Sequence, residues 1–278
     1  MPFKTTKILV AALAAAALTT LTACGGGQPA APSASGDPST SPSAPAVDYG
    51  VVEAGFLTVC SDVPYPPFEV EDATAASGYS GFDIDVMDAI ATEIGLQLKV
   101  IDSDFDALQS GTVLVANQCD VAASAMTITE ERKKNLDFSD PYYDSLQSLL
   151  VRADSGITSL ADMAGKKLGV QKGTTGKNYA TENAPQGTEI IDLPSDGELW
   201  PAIQADQIQG ILQDQPVNHE HEVADPTYKI VETYNTDEQY GYAFAKGQKL
   251  ELQAGVNAQL AAMRSDGTYD TIYKKYFG

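Results

Sequence analysis

Two successive rounds of β-rich runs alternating with amphipathic helical stretches govern what this chain can fold into. In the first round, Phe56-Leu57-Thr58-Val59-Cys60 reads as a strand. Phe82, Val86, Met87, Ile90 and Ile94 then recur at helical spacing, and Gly95 stands where a helix C′ residue belongs. Residues 98–101 and 121–125 read as the next strands. After 147–152 the alternation restarts, with strands at 167–171, 189–193 and 208–212 and helices from Thr174 and Gly197 between them. Trp200 and Pro201 are expected at the start of a helix of this second round. Leu252, Val256, Gln259 and Met263 share one face of a terminal helix; Ser265-Asp266-Gly267 breaks it, and a short helix follows to Tyr276. Two βαβ sets imply two α/β lobes, each a mainly parallel sheet flanked by helices. Ligands of such sheets sit at the carboxyl ends of strands, beside helix N-termini. Functional residues are therefore expected just after the strands.

The residues before Val47 take no part in that alternation. Lys4 and Lys7 make a basic start, and 8–21 is an apolar run too short to span a bilayer permanently, so 1–23 reads as an export signal. Leu21-Thr22-Ala23-Cys24 resembles the lipobox of bacterial lipoproteins. The resemblance implies a lipid on Cys24 and a body held outside the cytoplasm on the cell membrane. A plain cleaved signal with an incidental cysteine is the alternative. Residues 25–46 are almost wholly Gly, Pro, Ser and Ala, which cannot bury enough surface to offset their ordering entropy. Residues 24–47 thus read as a disordered leash, with an r.m.s. reach on the order of 25 Å.

The formal net charge of −21 repels phosphate backbones and excludes nucleic acid as a partner. It says nothing about a small ligand, since solubility alone accounts for it. Besides Cys24 the chain holds Cys60 and Cys119. Outside the cytoplasm an even pair is expected to bridge, closing a loop of about 60 residues; two buried free thiols are the alternative.

Four segments carry chemistry. Ser61-Asp62-Val63-Pro64-Tyr65-Pro66-Pro67-Phe68 follows the first strand, with Gly81-Phe82-Asp83-Ile84-Asp85 soon after. Met126-Thr127-Ile128-Thr129-Glu130-Glu131-Arg132-Lys133-Lys134 follows the third and leads into Asp137-Phe138-Ser139-Asp140-Pro141-Tyr142-Tyr143. Gly169-Val170-Gln171-Lys172-Gly173-Thr174-Thr175-Gly176 and Gln213-Asp214-Gln215-Pro216 complete the set. In this order they resemble the family-three extracellular solute-binding proteins of polar amino-acid ABC importers, which have a two-lobed type II periplasmic-binding fold. The likeness runs from Phe56 to the end, including Asp266-Gly267-Thr268-Tyr269 and Lys274-Lys275-Tyr276-Phe277. It implies a monomer that binds a free amino acid without any cofactor or metal and serves a permease with its ATPase.

An amino acid carries a carboxylate and an ammonium on one carbon, and both must be paired when taken from water. Arg132 offers the fork that suits a carboxylate, although its charged surroundings would also suit a surface arginine. Thr127 would add a hydroxyl, and the backbone N–H groups of Gly173-Thr174-Thr175 would hold the same carboxylate at a helix start. That loop lacks the Gly-Lys-Ser/Thr ending of a nucleotide site. Asp214 is the expected ammonium partner, a helix N-cap being its plain reading. Asp62, Tyr65, Phe105 and Gln171 form the side-chain pocket, with Ala125 at the end of the third strand beside them. Tyr65 and Phe105 match family positions that sandwich the ligand's side chain, although core packing is the commoner fate of such rings. Asp62 with those aromatic faces favours a cationic side chain over glutamine, and glutamine over glutamate. Lys172, next to the pocket, is the residue that would reverse this order.

The chain departs from the family pattern over 109–118, just before Cys119, where the disulfide is expected to fix an altered turn. It should cross between lobes near 144–147 and 236–239, giving 48–145 and 239–278 as lobe one and 146–238 as lobe two. His219-Glu220-His221 has no third ligand at suitable spacing and reads as a solvated helix or loop. Two other classes share this fold in outline: a dehydratase-type enzyme, which needs a carboxyl group over the reacting carbon, and a sensor for a membrane kinase.

Overall fold

The computed structural model describes residues 47–278, and the two predicted rounds form two separate sheets. The export signal, Cys24 and the leash as far as Ala46 lie outside the described residues.

Strand β1 (Phe56–Ser61) is followed by the short pair β2 (Val70–Glu71) and β3 (Tyr79–Ser80), then α1 (Phe82–Glu93), β4 (Gln97–Asp102), α2 (Phe105–Gln109), α3 (Thr112–Val115) and β5 (Val121–Ala122). β6 (Leu136–Phe138) leads into β7 (Tyr143–Arg152), which carries the chain to the second sheet. There follow β8 (Lys167–Gln171), α4 (Thr175–Asn183), β9 (Glu189–Leu193), α5 (Asp196–Gln204), β10 (Gly210–Asp214) and α6 (Gln215–Ala224). β11 (Tyr228–Tyr240) returns the chain, and β12 (Ala243–Ala245), α7 (Leu250–Asp266) and α8 (Thr268–Phe277) finish the first lobe.

β1 is buried along nearly its whole length because helices cover both faces of its sheet. Leu57 and Val59 pack with Val86, Met87 and Ile90 of α1. Cys60, pointing the other way as strand geometry requires, packs among Phe105, Leu108 and Leu114. The helical spacing of Leu252, Val256 and Met263 likewise puts all three in the core.

The first sheet runs β4-β1-β5-β12-β6 and the second β11-β7-β10-β8-β9. The expected mainly parallel sheets are parallel on one side only. β1 pairs in parallel with β4 and β5, and β8 with β9 and β10. The other pairings are antiparallel, because β12 and β7 belong to the stretches where the chain passes between lobes and reverses. β7 and β11 pair in antiparallel register from Tyr228 opposite Arg152 to Tyr240 opposite Tyr143, with irregularities between Ile230 and Glu232 and between Tyr234 and Glu238. Both crossing segments expected from sequence, 144–147 and 236–239, lie on this ribbon.

Three local expectations need correction. The third strand ends at Ala122 rather than Ala125, because the chain turns aside and Ala125 takes a left-handed φ of 44°. Trp200 and Pro201 lie in the second turn of α5, which starts a turn earlier on a capping box between Ser195 and Glu198. His221 is buried rather than solvated, its ring stacked on Trp200 at 4.2 Å and its Nε2 2.9 Å from Asp196 Oδ1. Among the described residues no group of three or more His, Cys, Asp or Glu is arranged to hold a metal, and no helix is long and apolar enough to cross a membrane.

Cys60 and Cys119 are bridged, with Cα atoms 5.8 Å apart. The bridge ties β1 to the end of the unusual segment 109–118, which folds as α3 behind a left-handed Gly111. Replacing both cysteines by serine should cost roughly 3–4 kcal/mol of unfolding free energy, the entropy of opening so long a loop. Urea unfolding monitored by circular dichroism measures this, and a loss below about 1 kcal/mol would show that the bridge adds little.

Candidate functional site

The strand ends of both sheets face one cleft. Asp62 and Tyr65 follow β1, Phe105 opens α2, and Ser124, Ala125 and Thr127 follow β5. Arg132 begins a single 3-10 turn, Arg132–Lys134. From the second sheet come Gln171 at the end of β8, Thr174 and Thr175 at the start of α4, and Asp214 at the end of β10. All ten pocket residues expected from sequence line this cleft, and Ser124 joins them. In the closed arrangement the cavity is about 10 Å³, roughly the room one water requires. The side chains therefore bond across it to one another.

Three of those bonds join the lobes. Gln171 Nε2 donates to Asp62 Oδ2 at 2.5 Å, and Tyr65 Oη to Asp214 Oδ2 at 2.7 Å. Arg132 donates through one terminal nitrogen to the Thr127 carbonyl at 2.6 Å and through the other to the Gly173 carbonyl at 3.0 Å. Its Cζ lies 5.1 Å from the Phe105 ring centre, so the ring serves the guanidinium as well as the pocket. Arg132 is only 5 % exposed, which rules out the surface-arginine alternative. Tyr65 and Phe105 are both buried and both on the cleft wall, so the choice between core ring and pocket ring was a false one.

Asp214 occupies the position before α6, yet its side chain makes no cap bond; Gln147 Nε2 and Tyr65 hold it in the cleft instead. Thr174 does cap α4, accepting from the Lys177 N–H at 3.1 Å. Gly173 makes the tight turn into α4 at φ 80°, where an added Cβ would lie 3.0 Å from Asp106 Oδ1. Thr174 and Thr175, at the start of α4, both line the cleft. Lys172, the residue that could have reversed the charge of the pocket, pairs with Asp106 at 2.9 Å and is absent from its lining.

Burial dominates the electrostatics. It pushes the Asp62 carboxyl up to about 7, aided by Asp102, Asp104 and Glu198, with the Gln171 bond opposing. It pushes Asp214 up to about 7 as well, aided by Glu238 and opposed by Tyr240, Tyr65 and Gln147. The Arg132 guanidinium is held down to about 10 by burial, against the pull of Glu238 and Asp214, and stays charged at neutral pH. The lining therefore offers two carboxyl groups that lack cationic partners and one guanidinium that lacks a carboxylate partner. Such a set can pair with a small molecule of both signs.

Sequence reasoning missed Ser124, Gln147 and Glu238. Ser124 accepts from the Asp62 N–H at 3.1 Å and donates to Glu69 Oε1 at 2.6 Å. Its place just after a strand was an available signal. Behind it, Asp83 Oδ2 accepts from the Ala125 N–H at 2.9 Å and from Tyr142 Oη at 2.7 Å, fixing the turn. Burial, and for Glu69 the neighbouring Asp83, raises both of these carboxyl groups. Gln147 and Glu238 lie on the crossing ribbon, where no local pattern marks them.

A model of the bacterial extracellular solute-binding proteins, family 3, matches residues 57–278. The chain is 35 % identical to the ABC transporter glutamine-binding protein GlnH of Bacillus subtilis over 70 % of its own length and 72 % of that protein's. It is 33 % identical to an L-arginine-binding protein of Pseudomonas aeruginosa over 78 % and 85 %. Among solved structures, it is similar to an ancestral arginine-binding protein bound to glutamine, with TM-score 0.74 and 36 % identity, covering 81 % of this chain and 99 % of that one.

The raised carboxyl groups can be titrated directly. In ¹³C-carboxyl NMR of the ligand-free protein, Asp62 and Asp214 should change charge near pH 7 rather than near the ordinary aspartate value of 3.8. Gln171→Leu removes a donor to the ionised form and should move Asp62 higher still. An Asp62 midpoint below pH 5 would contradict the desolvated cleft.

Proposed function

The chain belongs to family 3 of the bacterial extracellular solute-binding proteins, and on that premise we propose that its cleft captures one free polar amino acid for an ABC import permease. The carrying observation is the buried set of opposite charges on facing lobes: Arg132 on the first, Asp214 on the second. Arg132, helped by the N–H groups at the start of α4, takes the ligand's carboxylate. Asp214 takes the ammonium. Asp62, Tyr65, Phe105 and Gln171 surround the side chain. A cationic side chain such as that of arginine or lysine ranks first, because Asp62 has no cation of its own and Lys172 is engaged elsewhere. Glutamine ranks second and glutamate third, since a second carboxylate would face Asp62.

Ligand groups that bridge the lobes bind the closed arrangement better than an open one, and that difference drives closure. We place the hinge where the ribbon crosses, with 48–145 and 239–278 moving against 146–238. In this reading the mature protein is a monomer tethered through lipid on Cys24, and it docks closed on the permease that its ATPase partner powers. It is a carrier rather than an enzyme, because each cleft carboxylate is held by fixed donors instead of being poised over a reacting carbon. A ligand recovered chemically unchanged after prolonged incubation would support this; a new product would overturn it.

Thermal-shift screening of the full chain in detergent against the twenty amino acids tests the reading. A ligand at a hundred times its Kd should add about 2.7 kcal/mol. Arg132→Ala should abolish the shift with every amino acid, and Asp62→Ala chiefly with arginine and lysine. Intact responses to those two in Asp62→Ala would sink the ranking; no response to any amino acid would sink the function.

Binding should also depend on pH with a definite sign. Only ionised Asp62 and Asp214 attract a cation, and both protonate as pH falls through about 7. Affinity for L-arginine should therefore weaken about tenfold per group between pH 8 and pH 6. Calorimetry across that range would show protons released on binding near pH 7, and a pH-independent affinity would count against the carboxylate pairing.

A further inference from the structure

Glu238 is a buried acid, 7 % exposed, that lies on the crossing strand β11 behind the cleft wall. Its Oε2 accepts from Thr127 Oγ1 at 2.6 Å and from Thr175 Oγ1 at 2.7 Å. Thr127 belongs to the first lobe and Thr175 opens α4 in the second, so one carboxylate oxygen joins the two. Its Oε1 accepts from Thr236 Oγ1 at 2.8 Å and from Gln147 Nε2 at 3.1 Å, and the same Gln147 nitrogen reaches Asp214 Oδ1 at 2.5 Å. No cationic side chain bonds to Glu238 among the described residues.

A threonine hydroxyl has one proton and two lone pairs. The two hydroxyl oxygens lie 3.4 Å apart, but the shorter bonds to Glu238 take both protons, so Thr127 and Thr175 turn only lone pairs toward the cleft they line. The inner wall then consists of acceptors: two oriented hydroxyls and the Asp214 carboxylate. A ligand carboxylate placed there would meet repulsion, whereas an ammonium would find partners.

We propose that Glu238 is a positioning residue that orients the Thr127 and Thr175 hydroxyls as acceptors and so makes the inner wall of the cleft selective for a protonated amine. Thr127 thereby serves the ammonium end, not the carboxylate end that its sequence position suggested. The inference rests on the amino-acid reading above and assigns a task to a residue that is not part of the cleft lining. Thr127 reaches this acceptor only across the lobe boundary, since Glu238 is carried by the ribbon at the end of the second lobe.

Glu238→Met tests this with a side chain of similar length that lacks the shared oxygen acceptor, so the two hydroxyl protons are freed to turn toward the cleft. Glu238→Gln is the conservative control, because its amide oxygen can stand in for Oε2, keep both hydroxyl bonds and leave amine binding nearly unchanged. Calorimetry on the full chain in detergent would compare two probe pairs: L-arginine with its desamino analogue 5-guanidinopentanoate, and L-glutamine with its desamino analogue 4-carbamoylbutanoate. For whichever amino acid binds, Glu238→Met should weaken it by about ten- to a hundredfold while leaving the desamino analogue within about twofold. In a Thr127→Val, Thr175→Val background, Glu238→Met should have little further effect on that ratio. An equal loss for both members of a pair would mean a merely structural role and overturn the inference alone. Failure of the unaltered protein to bind any amino acid would overturn the reading beneath it.

Discussion

A guanidinium taken out of water must find its partners inside the protein, and Arg132 finds them only where two sheets meet. One of its bonds runs to the Thr127 carbonyl in its own lobe and the other to the Gly173 carbonyl across the cleft. Those neutral acceptors satisfy its hydrogens without neutralising its charge. Nor are the carboxyl groups of Asp62 and Asp214 neutralised: Gln171, Gln147 and Tyr65 donate to them, and among the described residues no lysine or arginine does. The cleft is hydrogen-bonded but electrostatically incomplete, and its large carboxyl shifts express that state.

This arrangement explains why the fold takes the trouble to cross between lobes twice. A site built on one sheet could bind a charged molecule but would gain nothing by moving. Here Asp62 meets Gln171, Tyr65 meets Asp214, and Thr127 shares Glu238 with Thr175, each pair drawn from opposite lobes. On the proposed function, closure and recognition become one event, because these contacts need both lobes together. Through Gln147 and Glu238 the β7–β11 ribbon braces the wall from behind, and under the proposed hinge it is also the pivot.

Much of the site was legible because α/β sheets place chemistry at strand ends. Asp62, Gln171 and Asp214 each close or follow a strand that its own residues announce, and Thr174 is a helix cap in sequence as in space. Tyr65 and Phe105 were identified but described by the wrong opposition, since a ring on a cleft wall is buried and functional at once. Pro201 misled, because a proline signals a helix start only when no stronger cap precedes it, and Ser195 with Glu198 is stronger. His221 misled in the other direction: a His-x-His string looks solvated until Trp200 and Asp196 close over it.

Sequence by itself determined the alternation of strands and helices, the two-lobed α/β class, and the identities of the charged and aromatic groups after each strand. These follow from local periodicity and turn chemistry, which act over a few neighbouring residues. Tertiary structure alone decided that the sheets are mixed, that Lys172 turns to Asp106 and leaves the pocket acidic, and that Glu238 comes to lie between Thr127 and Thr175. Each of those outcomes depends on where a chain that has travelled through another lobe returns. Residues 111 and 63 positions apart have no local physics in common until the ribbon sets them side by side.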